Sequence, residues 1–121
     1  MRIAAMALFV FGLSGCDRGV IRHWEDGKYQ VYTRPDSREI IMGHSMGDGA
    51  ILGLSETTVV SAGSDARYVV FSRRLLSGGV EHYYIGKNAG SEGEVSGPFT
   101  PVEYKAIATR LALSAYSWYL K

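Results

Sequence analysis

The stretch 67-RYVVFSRRLLSGGVEHYYIG-86 indicates the fold class of this chain. Two runs rich in β-branched and aromatic residues, 67–74 and 80–86, flank the cluster Ser77-Gly78-Gly79. Side chains of these types favour strands, whereas glycine and serine favour tight turns. The stretch therefore predicts an antiparallel β-hairpin. Arg73-Arg74 falls at the end of its first strand, where paired charges are usually solvated.

Further strands are predicted on the N-terminal side of this hairpin. The run "TTVVSA" (57–62) is joined to it through Gly63-Ser64-Asp65, another turn-forming cluster. Earlier in the chain, "KYQVYT" (28–33) alternates as a half-buried strand does, and "REIIM" (38–42) is a second β-branched run. The connections are short, so we expect antiparallel neighbours.

A helix is predicted on the C-terminal side. After a polar loop (87–98) with a short strand at 94–96, Thr100-Pro101-Val102-Glu103 forms a capping box with proline at the first helical position. An amphipathic stripe follows at Tyr104, Ile107, Leu111, Ala115 and Trp118. The sequence predicts a single α+β domain over 28–121, an antiparallel meander sheet of about five strands packed by one C-terminal helix.

Residues 43–47, "GHSMG", match the G-x-S-x-G nucleophile elbow of α/β-hydrolases. A serine, acid, histidine order is available as Ser45, Asp65 and His82. An elbow, however, joins a strand of a parallel sheet to a helix, and parallel crossovers need a dozen or more residues. The gaps between the predicted strands are too short for such crossovers.

The predicted role of "GHSMG" is therefore that of a turn. Gly47 and Gly49 fall where the elbow helix would begin, and glycine is a poor helix former. We expect a glycine-rich loop between antiparallel strands, with Gly43, Gly47 and Gly49 supplying positive φ. No catalytic residue is predicted.

Metal and cofactor sites are not predicted either. His23, His44 and His82 are scattered, without the i, i+4 pairing of a zinc-binding helix. Glu92 and Glu94 stand in a loop, where solvated carboxylates are expected rather than a calcium site.

The N-terminus has the pattern of an export signal. Arg2 precedes an uncharged apolar run, 3–13, which is shorter than the about 20 residues of a membrane span. Small residues follow, and then Cys16, the only cysteine of the 121 residues. A lone cysteine in an exported protein calls for an explanation other than an internal disulfide.

The sequence Leu13-Ser14-Gly15-Cys16 resembles the lipobox of bacterial lipoproteins. The resemblance implies that residues 1–15 are a signal peptide and that Cys16 is lipidated, which holds the protein to a membrane of the cell envelope, facing the periplasm. Asp17 resembles the residue that retains such proteins in the inner membrane, so the inner membrane is favoured over the outer. Residues 16–27 are expected to hold the lipidated cysteine and a tether. Trp24 within them is expected to cap the core rather than lie at the membrane interface.

The charge of the chain argues against nucleic acid as a partner. Arg2 is lost with the signal, so the 13 Lys and Arg fall to 12, equal to the 12 Asp and Glu. A neutral domain has no electrostatic attraction for phosphates. The predicted partners are the membrane, through the lipid on Cys16, and an envelope protein.

Residues 59–113 resemble a group of small bacterial lipoproteins in the pattern "SAGSDARYVVFSRR", then "EHYYIGK", then "GPFT" followed by Glu103-Tyr104. The resemblance implies no known reaction. We expect a non-catalytic envelope module that binds or supports a partner. Two alternatives remain open: an inhibitor or immunity lipoprotein that presents 44–49 or 87–97 to a cell-wall hydrolase or toxin, and a small hydrolase that uses Ser45.

Overall fold

A computed structural model describes residues 21–47, 49–87 and 94–121. This part of the chain forms two antiparallel sheets and one helix near the C-terminus, so the predicted α+β class is confirmed. The elements are β1 (Ile21–Asp26), β2 (Tyr29–Thr33), β3 (Ile40–Ser45), β4 (Ile51–Gly53), β5 (Val59–Ser64), β6 (Tyr68–Arg74), β7 (Val80–Gly86), β8 (Val95–Phe99), α1 (Pro101–Leu111) and β9 (Trp118–Tyr119). None of the described helical segments is long and apolar enough to cross a membrane.

The strands divide between two sheets, where the sequence predicted one meander of about five strands. The first sheet has the order β1-β2-β3-β4, and the second has the order β8-β7-β6-β5-β9. The chain leaves the first sheet after β4 and starts the second with β5. Alternation assigns residues to two faces of a strand, but it carries no mark of where one sheet ends and the next begins. The single-sheet expectation is therefore wrong.

The main core lies between the two sheets. Every second residue of a strand faces the same way, so both sheets supply inward side chains to one apolar layer. Its buried members are Tyr29, Val31 and Met42 from the first sheet and Val59, Ala62, Val69, Phe71 and Ile85 from the second. Trp24 packs against this core, as expected.

The outer face of the second sheet is covered as well. Val70 and Ser72 point away from the main core, yet both are buried. Helix α1 contacts β7 and β8 on this side, and Tyr104 of the helix stacks on His82. The prediction that the helix lies on one face of a sheet is confirmed, and the domain has three layers.

The capping box of α1 is confirmed. Thr100 Oγ1 accepts a hydrogen bond from the Glu103 N–H at 3.2 Å, and the Glu103 carboxylate accepts one from the Thr100 N–H at 2.9 Å. Both bonds use N–H groups that a helix start leaves unpaired.

The helix ends at Leu111, earlier than the predicted stripe implies. Ala112 adopts a left-handed conformation with φ 53°, which terminates the helix. Ala115 and Trp118 therefore lie beyond it, and Trp118 pairs with Ala62 as part of β9. Their helical spacing is incidental, because an extended segment that crosses an apolar surface also places hydrophobic residues at intervals.

The first described residues form a strand where the sequence predicted a tether. Ile21–Asp26 pair with β2, so the predicted tether boundary at residue 27 is wrong. Charged residues on this strand are compatible with its position at the edge of the sheet. At its end, Asp26 Oδ2 accepts hydrogen bonds from Lys87 Nζ at 2.7 Å and from Ser64 Oγ at 2.5 Å, which joins the two sheets.

We predict that Gly63→Ala destabilises the domain. A Cβ at position 63 would overlap the carbonyl oxygen of Ala115 and lie 3.0 Å from Cα of Tyr116, both backbone atoms with little room to move. We expect a loss of about 1–3 kcal/mol in the free energy of unfolding, as for other overpacked sites. Urea denaturation measures it.

Gly79→Ala is the matched control, because a Cβ there meets nothing nearer than Leu75 Cδ1 at 3.8 Å. Equal stabilities of the two variants would contradict the close contact between β5 and the C-terminal segment.

Candidate functional site

The "GHSMG" stretch is part of a hairpin. Strand β3 runs through Ser45 and pairs with β4, which starts at Ile51, so no helix follows the motif among the residues that the structure describes. The N–H of Ser45 donates to the carbonyl of Lys28 at 2.7 Å, and its Oγ accepts from the Gly47 N–H at 3.4 Å. The predicted loop is therefore wrong for residues 43–45, which belong to the strand.

The three glycines of this region have different roles. Gly47 and Gly49 have φ of 84° and 92°, which confirms the positive φ predicted for them. Gly43 lies within the strand and is not among the positive-φ residues. A Cβ on Gly43 would lie 2.6 Å from side-chain atoms of Tyr32 and Ile51, so close packing excludes a side chain there.

Asp65 and His82 do not join Ser45. Asp65 Oδ1 accepts hydrogen bonds at 2.8 Å from the N–H groups of Arg67 and Tyr68, which shape the β5–β6 turn and lower the pKa of this carboxyl. His82 is on the face of the second sheet that α1 covers, so this sheet separates it from the first sheet, which holds Ser45. The structure does not bring the three residues together.

His82 belongs to a half-buried aromatic cluster under α1. Its ring stacks on Tyr104 with centroids 4.5 Å apart, and its Nδ1 lies 2.6 Å from the Tyr116 hydroxyl oxygen. Ser61 and Ser72 pair through their hydroxyl groups on the same face of the sheet. This cluster fastens the helix and the C-terminal segment to the sheet.

Burial sets the protonation of this cluster. Desolvation lowers the pKa of His82 and raises the pKa of Tyr104 and of Tyr116. All three groups are therefore held neutral near pH 7. A neutral histidine and a tyrosine hydroxyl are suited to the hydrogen bond observed between them.

The other two histidines, His23 and His44, have different contacts from His82 and from each other. His23 Nε2 lies 2.7 Å from Thr33 Oγ1, and buried His44 packs edge-on against Tyr29. His44 Nδ1 has no hydrogen-bond partner in the described part of the chain. Within that part, no group of three metal-ligating side chains comes together. Glu94 is exposed, and Glu92 lies outside the described residues.

The two long sides of the sandwich differ. One side is closed where β1 meets β9: Trp24 Nε1 donates to Ser117 Oγ at 3.3 Å, and the rings of His23 and Trp118 are 5.6 Å apart. The opposite side lies between the edge strands β4 and β8 and contains a cleft of about 580 Å³. We call it the open-side cleft.

The open-side cleft combines an apolar wall with a polar network. Leu54, Tyr83 and Val95 line it and also pack on the main core. Polar groups meet in it at Arg73 and Glu81. Its volume falls within the range of some 300–1,000 Å³ that is typical of small-molecule sites, which also contain a few fixed polar groups.

Arg73 is the centre of the polar network. Its guanidinium donates to the Thr57 carbonyl at 2.9 Å, to Glu81 Oε1 at 3.0 Å and to the Tyr83 hydroxyl at 3.2 Å. The Tyr83 hydroxyl in turn donates to Glu81 Oε1 at 2.8 Å. Hydrogen bonding to Tyr83 raises the pKa of Arg73, and burial raises the pKa of Tyr83.

Glu56 belongs to the same site, but it is more exposed than the other charged residues and lies farther from Arg73. Its carboxylate is 3.7 Å from Arg73 Nη1, but its side chain is 88% exposed, against 16% for Arg73. Exposed ion pairs of this kind contribute little stability. Glu56 and Arg73 also border a neighbouring cavity of about 660 Å³, so they stand between two concavities. Glu56 can therefore move without disturbing the bonds that hold Arg73.

The sequence pointed to Arg73-Arg74 only as a charged pair at a strand end. Arg74 is exposed, as expected, whereas Arg73 is largely buried, so the expectation of a solvated pair is wrong for Arg73. The sequence does contain a signal for this burial. Alternate residues of a strand face the same way, so Arg73 lies on the same face of β6 as the core residues Val69 and Phe71. A cation on a core face needs a buried acceptor, and Glu81 opposite it in β7 supplies one.

Comparisons with protein-family models, with curated proteins and with solved structures find no match to this chain. The class of protein is therefore inferred from the geometry and the sequence together.

We predict that the domain loses stability as the pH falls below about 6.5, the ordinary pKa of histidine. Because burial lowers the pKa of His82 in the folded state, the unfolded chain binds the proton first. Stability is fully present above the unfolded pKa and decreases until the pH reaches the folded pKa. Urea denaturation at a series of pH values measures the slope.

His82→Gln should reduce this slope, whereas His23→Gln should retain the part due to His82. A slope that is unchanged in His82→Gln would contradict the role of His82.

Proposed function

We propose that this chain is a lipid-anchored, non-catalytic binding module of the bacterial cell envelope, with its lipid on Cys16 and its ligand in the open-side cleft. The open-side cleft is the observation that carries the binding role. It is the place where an apolar wall and a fixed polar network border one concavity between two sheet edges.

The anchor rests on the sequence around Cys16. An apolar run too short for a span leads into Leu13-Ser14-Gly15-Cys16, and this region lies outside the described residues. Several buried acyl chains hold a protein firmly to a bilayer, since each methylene contributes about 0.8 kcal/mol. We infer an envelope location on the periplasmic side, with the inner membrane favoured by Asp17.

The cleft favours a ligand with both apolar and polar groups. Leu54 and Val95 offer aliphatic surface, and the ring of Tyr83 is fixed by its stack on Phe71, with centroids 4.8 Å apart. Because Arg73 already has Glu81 as its counter-ion and Glu56 also lines the cleft, the cleft presents no uncompensated positive charge for a nucleic-acid phosphate. A segment of an envelope protein meets these requirements.

A non-catalytic role agrees with the partners of the hydrolase candidates. Ser45 accepts from Gly47, Asp65 caps a turn, and His82 pairs with Tyr116. A nucleophile needs a base within hydrogen-bond reach, and these three residues are each engaged elsewhere.

A second candidate function is that of an inhibitor or immunity lipoprotein. The β3–β4 hairpin favours it, because Met46, which flanks the turn and whose N–H donates to the Ala50 carbonyl, is 48% exposed. An exposed apolar side chain beside a surface turn is suited to enter the active site of a hydrolase or toxin. The other loop predicted for this role, 87–97, lies largely outside the described residues.

We predict that Cys16→Ser releases the protein from the membrane fraction, because it removes the thiol that would carry the lipid. Fractionation of cells and the intact mass of the purified protein measure the effect. The Ser14→Ala variant keeps the thiol and serves as control. A wild-type protein without lipid mass on Cys16 would contradict the proposed anchor.

We predict that a photoreactive residue in the cleft crosslinks to a specific envelope partner. Replacing Glu56 by p-benzoylphenylalanine places the probe where two cavities meet, at an exposed position that tolerates change. Lys105, exposed on α1, is the control position, and Met46 tests the hairpin. Crosslinking in the native envelope and mass spectrometry identify the adducts.

An adduct formed from position 56 but not from position 105 supports the cleft. An adduct formed only from position 46 would replace the cleft by the hairpin and favour the inhibitor. Identical adducts at all three positions would contradict both sites.

A further inference from the structure

Strand β6 defines two opposite ends of the sandwich. Before it, the β5–β6 turn contains Ala66, and after it, the β6–β7 turn contains Leu76. The seven residues of β6 span about 20 Å. We call these the Ala66 end and the Leu76 end.

The described chain begins at the Leu76 end. Ile21 pairs with Thr33, and the next residue, Arg34, borders the 660 Å³ cavity together with Leu76. The opposite end of β1 is fixed by the bond of Asp26 to Ser64, which lies beside the Ala66 turn. Strand β1 therefore runs from the Leu76 end to the Ala66 end.

Helix α1 also begins at the Leu76 end. Strand β8 pairs Val95 with Ile85 and Phe99 with His82, so it runs towards the Val80 end of β7, which adjoins the Leu76 turn. The first turn of α1, with Val102, follows Phe99 directly.

Exposed apolar side chains collect at this end. Leu76 is fully exposed, Val102 is 81% exposed and Ile21 is 59% exposed. At the opposite end, the β1–β2 and β5–β6 turns expose Gly27, Lys28, Ala66 and Arg67, and Met46 is 48% exposed, less than any of the three apolar side chains at the Leu76 end. Exposed apolar groups that share one end of a small domain mark an interaction surface.

The position of Cys16 selects the occupant of that surface. Five Cα-to-Cα steps lead from Cys16 to Ile21 along the chain, and such a length spans at most about 18 Å. A lipid on Cys16 therefore keeps the Leu76 end close to the bilayer. Anionic lipid is not required, because this end carries the cations Arg34, Arg38 and Arg74 and an equal number of acids, Asp36, Glu39 and Glu103.

We propose that the Leu76 end is a membrane-contacting surface on which Leu76, with Val102 and Ile21, enters the interface of the bilayer that holds the lipidated Cys16. The domain then stands upright, with its Ala66 end directed away from the membrane. This inference rests on the proposed lipid anchor. The anchor supplies attachment, and the apolar end supplies orientation.

The test uses lipidated full-length protein in dioleoylphosphatidylcholine vesicles, with and without nitroxide-labelled phosphatidylcholine. Because lipid blocks Cys16, each of Leu76→Cys, Val102→Cys and Ala66→Cys has one free thiol for an NBD fluorophore. All three positions are exposed, so the variants are expected to fold, and circular dichroism checks this. The intact mass establishes the lipid first.

We expect blue-shifted emission and severalfold quenching by nitroxide lipid at positions 76 and 102, and neither at position 66. Replacing part of the lipid by phosphatidylglycerol should leave the pattern unchanged. A blue shift at position 76 without nitroxide quenching would indicate a protein contact, such as a second copy, and overturn the proposal. Equal quenching at 66 and 76, or quenching at neither, would overturn it too.

A chain without lipid at Cys16 would overturn the anchor and, with it, this orientation. A lipidated chain whose position 76 stays in water would overturn the orientation alone.

Discussion

The second sheet is buried on both faces, and the rest of the architecture depends on this constraint. Val69 and Phe71 of β6 face the first sheet, while Val70 and Ser72, which alternate with them, are buried on the opposite face. A strand that is apolar on both faces needs a cover on each side. The first sheet provides one cover. The other is formed by α1 with the C-terminal segment, and Gly63 allows the backbone of that segment to lie directly on β5.

This constraint also explains which parts of the fold were predictable. The β6–β7 hairpin is predictable from the sequence because its β-branched runs are strong, local signals. Helix α1 is predictable for the same reason, since its capping box is also a local signal. The division into two sheets is not predictable in this way, because it depends on which faces of the strands meet across the core. Ala112 has no sequence signature of a helix end, so the stripe appeared to continue to Trp118. Strand β1 was missed since an edge strand tolerates the charges of "IRHWED".

The "GHSMG" stretch shows that a sequence motif does not indicate catalysis unless the surrounding secondary structure fits. Its first glycine is required by the rings and methyl groups packed around it, and its last by a left-handed turn. An elbow would have used the same residues for a strand-to-helix turn. Arg73 is the converse case. No catalytic or ligand-binding motif contains it, yet on a core face its guanidinium needs hydrogen-bond acceptors, and the resulting network forms one wall of the open-side cleft.

The proposed anchor and the proposed cleft constrain one another. Arg73 and Glu56 lie near the end of the sandwich that carries Leu76, since both border the cavity that Leu76 lines. If that end faces the bilayer, the cleft opens sideways, close to the membrane surface. A partner that reaches it must then be a membrane protein or lie on the membrane, whereas a soluble partner would meet the Ala66 end first. Under both proposals, the short connection between Cys16 and β1 would select the partner by its position as well as by its chemistry.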